Sequence, residues 1–179
     1  MHERDTAVNL DLQALGAGAF AHVAGTLGGH LERTHAWLRR FGARAALCRA
    51  GLHHAIYGTA GIDGELLPLS ARQAVAAAIG DEAEAIVYHY AACDRDRFHP
   101  RIGTRDECLF ADRFERRDYA IDTATLRDLC ELTLANELEV ASSSPAFRRK
   151  HRDDLRTLAG RMRMHASDAA YAALLEVLG

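Results

Sequence analysis

Apolar residues recur at steps of three, four and seven along almost the whole chain, and this period confines it to a helical architecture. Leu27, Leu31, Leu38 and Phe41 show it most cleanly, behind Thr26 as a capping residue and ahead of Gly42 as a stop. Only three prolines interrupt 179 residues, and strand-like alternation is absent. The expected fold is all-α, a single-domain bundle of about 7–8 helices.

Helices are predicted over residues 8–20, 26–41, 43–56 and 123–140, and from Ser167 to Leu178. One more opens at Ser70 with Gln73 three residues on and stops at Gly80, and another opens at Asp81 with Glu84. A further helix follows Pro145 and carries Phe147, Leu155, Leu158 and Met162. Residues 95–121, rich in arginine and aspartate and holding Pro100 and Gly103, read as a long surface loop of the kind that forms lids, with room for one short helix.

The net charge of −3, with arginines spread along the chain and balanced by acids, argues against a nucleic-acid footprint. Cys48, Cys93, Cys108 and Cys130 stand apart without a Cys-x-x-Cys pair, which excludes a zinc ribbon or a thioredoxin motif and leaves buried free thiols. No apolar run reaches the roughly 18 residues that span a bilayer, so a cytoplasmic protein with no membrane partner is expected. A small-molecule substrate is the expected partner, and a homo-oligomer stays open.

The ten histidines carry the chemical information. Imidazole is the commonest protein ligand for transition metals. His30 lies at the edge of an apolar stripe, whereas His35 is rotated toward solvent. His53 and His54 follow in the next helix, and His22 sits in the loop before His30. Asp94 continues the stripe Ala83, Val87, Tyr90, and a buried carboxylate needs a cation or metal. Asn136 is aimed inward with Leu129, Leu132 and Val140. The bland readings are core histidines bonded to backbone for His30, His53 and His54, and an ion pair with a loop arginine for Asp94. His2, His35, His99, His151 and His165 read as surface residues. Arg72 suits an anionic substrate or a pair with Glu65, and Glu82 and Glu84 read as helix-dipole acids without chemistry.

His30, then Ala50-Gly51-Leu52-His53-His54, then a helix running to Asp94, resembles the HD-domain superfamily of metal-dependent hydrolases, with its His … His-Asp … Asp pattern. Ile79-Gly80-Asp81-Glu82-Ala83 is similar to a step in the guanosine tetraphosphate hydrolases. Gly25-Thr26-Leu27 before His30, and Leu52-His53-His54-Ala55-Ile56-Tyr57-Gly58-Thr59, resemble a bacterial group of HD-like domains over about residues 20–97. The resemblance implies one divalent ion (Fe, Mn, Zn or Ni) held by His30, His53 and Asp94, with His54 and His22 as further ligands. It also implies that His54 and Tyr57 reach the substrate and that Arg95, with Arg97, neutralises charge on the leaving group. His54 stands where the superfamily has aspartate, and an imidazole does not bridge two metals, which favours a single ion. Three functions follow as expectations: a hydrolase of a small phosphorylated or nucleotide-like molecule, an HD-type iron oxygenase resembling myo-inositol oxygenase, or a degenerate non-catalytic module that binds a ligand.

Overall fold

A computed structural model describes residues 11–12, 14–18, 21–22, 25–60, 64–104 and 108–179. Of the predicted helix over 8–20, residues 8–10, 13, 19 and 20 lie outside them, and the described part is not helical, with residues 12 and 14–18 in turns. The fold is all-α, with eight helices among the described residues. A two-residue antiparallel pairing, β1 (Ala21–His22) with β2 (Gly25–Thr26), delivers the chain to α1 (Leu27–Arg40). Thr26 caps α1 as the sequence indicated, its hydroxyl accepting from Gly29 N at 3.2 Å.

The order continues with α2 (Ala45–His53), a 3-10 turn over Leu69–Ala71, α3 (Arg72–Ile79), α4 (Asp81–Ala92) and α5 (Arg95–Phe98). After a 3-10 turn at His99–Arg101 come β3 (Leu109–Asp112) and β4 (Arg117–Ala120), then α6 (Thr123–Ser143), α7 (Pro145–Met162) and α8 (Asp168–Leu178). Helix α6 is the axis of the bundle, packed by α1, α7 and α8 and buried along most of Leu129 to Ala141. A helix buried on nearly all sides has no strong amphipathic stripe, so polar residues on it sit in the core and need partners there. Glu131 finds one in the cap of α8, accepting from Ser167 N and Ser167 Oγ, both at 2.7 Å.

Helix α1 lies close against α2 because Gly51 leaves room for Leu38. A Cβ at Gly51 would stand 2.3 Å from Leu38 Cδ1. Beyond α2, Gly58 turns the chain at φ +78, where a Cβ would meet Gly64 O at 2.8 Å.

Three expectations need correction. Residues 109–120 form an antiparallel hairpin, with Phe110 opposite Tyr119 and Asp112 opposite Arg117, where the sequence suggested loop. Four-residue strands are too short for a period of two to stand out, and buried Asp112 breaks the pattern. The same segment is stapled down rather than free as a lid. Phe98, Ile102 and Phe110 are fully buried, and Asp118 accepts from Arg97 at 2.9 Å and from Arg101 at 2.9 Å. The capping boxes at Ser70 and Asp81 do not form, since α3 and α4 start behind Ala71 and Gly80 without a side-chain cap. Glu84 is drawn instead into a buried ion pair with Arg72, at 2.6 and 2.9 Å, which also replaces the expected Arg72–Glu65 pair.

Candidate metal centre

Three elements meet where α1, the end of α2 and α6 touch. His30 projects from the first turn of α1, His54 is the C-cap of α2, and Asn136 and Glu139 lie three apart on α6, hence on one face. All four are buried, His30 and His54 at 2% exposure. His30 Nε2 stands 3.3 Å from His54 Nε2 and 3.0 Å from Asn136 Oδ1.

The other nitrogen of each ring is committed. His54 Nδ1 is 2.7 Å from Gly51 O, and a carbonyl only accepts, so Nδ1 carries the proton. His30 Nδ1 donates to Glu139 Oε2. In the neutral rings, both Nε2 lone pairs then face one another, and Asn136 adds a carbonyl oxygen to the same point. Its amide nitrogen is turned to Glu137 Oε1 at 3.3 Å, which fixes which end faces His30.

Such a convergence of acceptors suits a cation. Two ligands on one ion at about 2.0–2.1 Å and a tetrahedral angle stand about 3.3 Å apart, the separation of the two imidazoles. A carboxylate behind the His30 ring is the usual outer support of a metal-ligating histidine.

Glu139 is itself held from three sides. Besides His30 it accepts from Arg33 Nε at 2.6 Å and Ser143 Oγ at 2.8 Å. Burial alone would raise its carboxyl, but these hydrogen bonds outweigh burial and hold it down at about 2.

The remaining predicted ligands are placed elsewhere or lie beyond view. His53 is buried with Nδ1 donating to Arg49 O at 2.8 Å, while its Nε2 has no hydrogen-bond partner. Burial lowers its pKa, against the hydrogen bond to Arg49, with His35 adding to the lowering. The stripe Ala83, Val87, Tyr90 that points to Asp94 stops short of it, because α4 ends at Ala92. Asp94 instead caps α5, its side chain accepting from Arg97 N at 3.3 Å. The side chain of His22 falls outside the described residues. Among the described residues no three His, Cys, Asp or Glu side chains gather around one point; the third donor beside His30 and His54 is an amide.

Tyr57 turns its hydroxyl to Glu84 Oε1 at 3.0 Å, completing the Arg72–Glu84 cluster, and burial followed by the Glu84 charge raises its pKa. Arg95 lies with its guanidinium 5.0 Å from the centre of the Tyr90 ring, and that ring packs edge-on against His54 at 5.1 Å. Burial pushes the Tyr90 hydroxyl up to about 12, against the pull of Arg95. His35, expected in solvent, bonds Cys48 O at 2.8 Å.

Sequence reasoning found Asn136 as an inward polar group but missed Glu139, Arg33 and Ser143. The spacing was present, with Asn136, Glu139 and Ser143 at +3 and +4 and Arg33 one turn beyond His30, but α6 also carries Glu131 and Glu137, so spacing alone does not single Glu139 out.

Residues 11–95 are similar to a domain of unknown function, DUF6817, a span that carries His30, His53, His54 and Tyr90 and stops before α6 brings in Asn136 and Glu139. Neither the search of curated proteins nor that of solved structures found a match.

Proposed function

We propose that the chain is a single-ion metalloenzyme of the HD type that hydrolyses a small phosphorylated or nucleotide-like molecule. The observation that carries this reading is the convergence of His30 Nε2, His54 Nε2 and Asn136 Oδ1 with both Nδ1 nitrogens engaged behind them. Two imidazoles and an amide oxygen make a neutral donor set suited to zinc, manganese, iron or nickel. When bound, the ion supplies Lewis-acid polarisation of a phosphoryl oxygen. The chain's own part is orientation of the two imidazoles. Glu139 fixes the tautomer and tilt of His30, Gly51 O does so for His54, and the Tyr90 ring shields the outer edge of His54.

A second reading rests on the same distances. Separations of 3.3 and 3.0 Å are also hydrogen-bond lengths, so one proton on an Nε2 satisfies the group and leaves a non-catalytic ligand-binding module. Elemental analysis of protein purified without added metal or chelator separates the two, run beside His30→Ala and His54→Ala and a phosphate-release assay on phosphorylated small molecules. Near one equivalent of metal, lost in both variants together with phosphate release, is the expected result. Metal-free protein whose thermal stability ignores chelator establishes the proton-bridged module, because a resident metal couples to folding. Iron with oxygen uptake in place of phosphate release moves the assignment to an oxygenase.

A further inference from the structure

The amide of Asn136 has an acceptor at one end and two donors at the other. With its oxygen toward His30, it adds a third lone pair to the two imidazole lone pairs. Turned by half a revolution, it would put N–H groups at the same point, close the His30 lone pair itself and leave a cation nothing to bind. The choice between these two ends is made on the flank of α6. Asn136 Nδ2 donates to Glu137 Oε1 at 3.3 Å while Oδ1 stands 3.0 Å from His30 Nε2.

Glu137 has an anchor of its own. Burial pushes its carboxyl up, and the Arg95 charge is the largest pull against that, followed by the bond from Asn136 and the charges of His30 and His151. Arg95 comes from α5, with its guanidinium 5.0 Å from the centre of the Tyr90 ring that packs against His54. A carboxyl group keeps one oxygen free to accept whether or not the other carries a proton, so the hold on the amide does not depend on the charge of Glu137.

We propose that Glu137 is a positioning residue of the candidate centre: by accepting from Asn136 Nδ2 it keeps Oδ1 aimed at His30 and so makes the point between the helices fit for a cation. Arg95 holds Glu137 in that place. The cation rests on the metal reading above; the orientation of the amide does not.

The test is metal affinity of the full chain at one pH, for zinc, manganese, nickel and ferrous iron, by competition with a chelator. Glu137→Gln and the pair Arg95→Met/Glu137→Leu are each compared alone and combined with Asn136→Asp. The pair variant strands no buried charge, which protects the fold. Alone, it should weaken binding about tenfold or more. In the Asn136→Asp background it should not weaken binding, because a carboxylate presents an oxygen whichever way it turns. Glu137→Gln keeps an acceptor oxygen and should bind as wild type does. Equal weakening in both backgrounds, or none in either, overturns the proposal, and so does a Glu137→Gln as weak as the pair variant, which would make charge the agent. Wild type that binds none of the four ions removes the metal reading alone. Orientation is then read from long-range 15N–1H spectra of the imidazoles at fixed pH. The pair variant should move the His30 Nε2 signal, and do so only where Asn136 is intact; an unmoved signal overturns the positioning role.

Discussion

Two buried carboxylates, Glu139 and Glu84, use nearly the same parts to different ends. Each accepts from an arginine whose outer half reaches solvent and from a hydroxyl: Arg33 and Ser143 for Glu139, Arg72 and Tyr57 for Glu84. The difference is the third partner. Arg72 grips Glu84 with both arms of its fork, so that cluster closes on itself, whereas Glu139 spends its second oxygen on His30 and through that ring reaches His54 and Asn136. A saturated cluster holds helices together. One with a histidine in the chain carries the influence of its charge on to the candidate centre at His54 and Asn136.

Acid gives the largest expected effect. The Glu139 carboxyl is held at about 2 against an ordinary value of 4.5, so its contribution is fully present above about pH 4.5 and is lost as the pH falls toward 2. His99 is depressed from 6.5 to about 4, so its contribution is present above about pH 6.5 and is lost as the pH falls through 4. Each window is worth up to about 3 kcal/mol. Stability measured from pH 8 to pH 2 should show two steps, with Glu139→Gln flattening only the lower and His99→Gln only the upper. A lower step that survives Glu139→Gln shows that the three hydrogen bonds do not hold this carboxyl down.

Removing each arginine sharpens the contrast. Arg72→Ala strands Glu84, which is 6% exposed, with Tyr57 as its remaining donor, and should cost about 2–3 kcal/mol in urea unfolding. Arg33→Ala leaves Glu139 with His30 and Ser143 and should cost about 1 kcal/mol. Equal costs would mean that the two clusters are energetically alike and that the His30 hydrogen bond does not compensate Glu139 for the lost arginine.

Next in size is metal affinity. Glu139→Gln loses the anionic support of His30 and should weaken metal binding 10–100-fold by competition with a chelator. Glu84→Gln should leave it unchanged while lowering stability. Loss of metal in Glu84→Gln as well would erase the distinction.

The helical frame was legible in the sequence because its signals are local. Thr26 before a run of Leu27, Leu31 and Leu38, and Ser167 before α8, each act within one turn of chain, and each cap forms with its hydroxyl accepting a backbone N–H. Half of the candidate centre was legible for the same reason, since His30 and His54 stand on strongly periodic segments. Glu139 was not, because what makes it matter is a helix more than a hundred residues away, and no local pattern separates a carboxylate that meets an imidazole from one that meets water. Asp94 failed in the opposite direction. Its helical phase was extrapolated across a boundary two residues earlier, and beyond a helix end phase says nothing about direction.

The smallest effects test whether the hydroxyls differ as the carboxylates do. Tyr57→Phe deletes one of three bonds to Glu84 and leaves the Arg72 fork whole, so it should cost about 1 kcal/mol and change nothing at His30. Ser143→Ala deletes a bond of similar length to Glu139 and should cost no more in stability. Its carboxylate, however, is the one that faces an imidazole. With fewer donors to satisfy it, Glu139 becomes a stronger acceptor for the His30 proton, and the pH at which metal binding is half-lost should shift measurably in Ser143→Ala and stay fixed in Tyr57→Phe. Identical metal-binding pH profiles in the two variants would reduce Glu139 to what Glu84 already is, a clamp between helices.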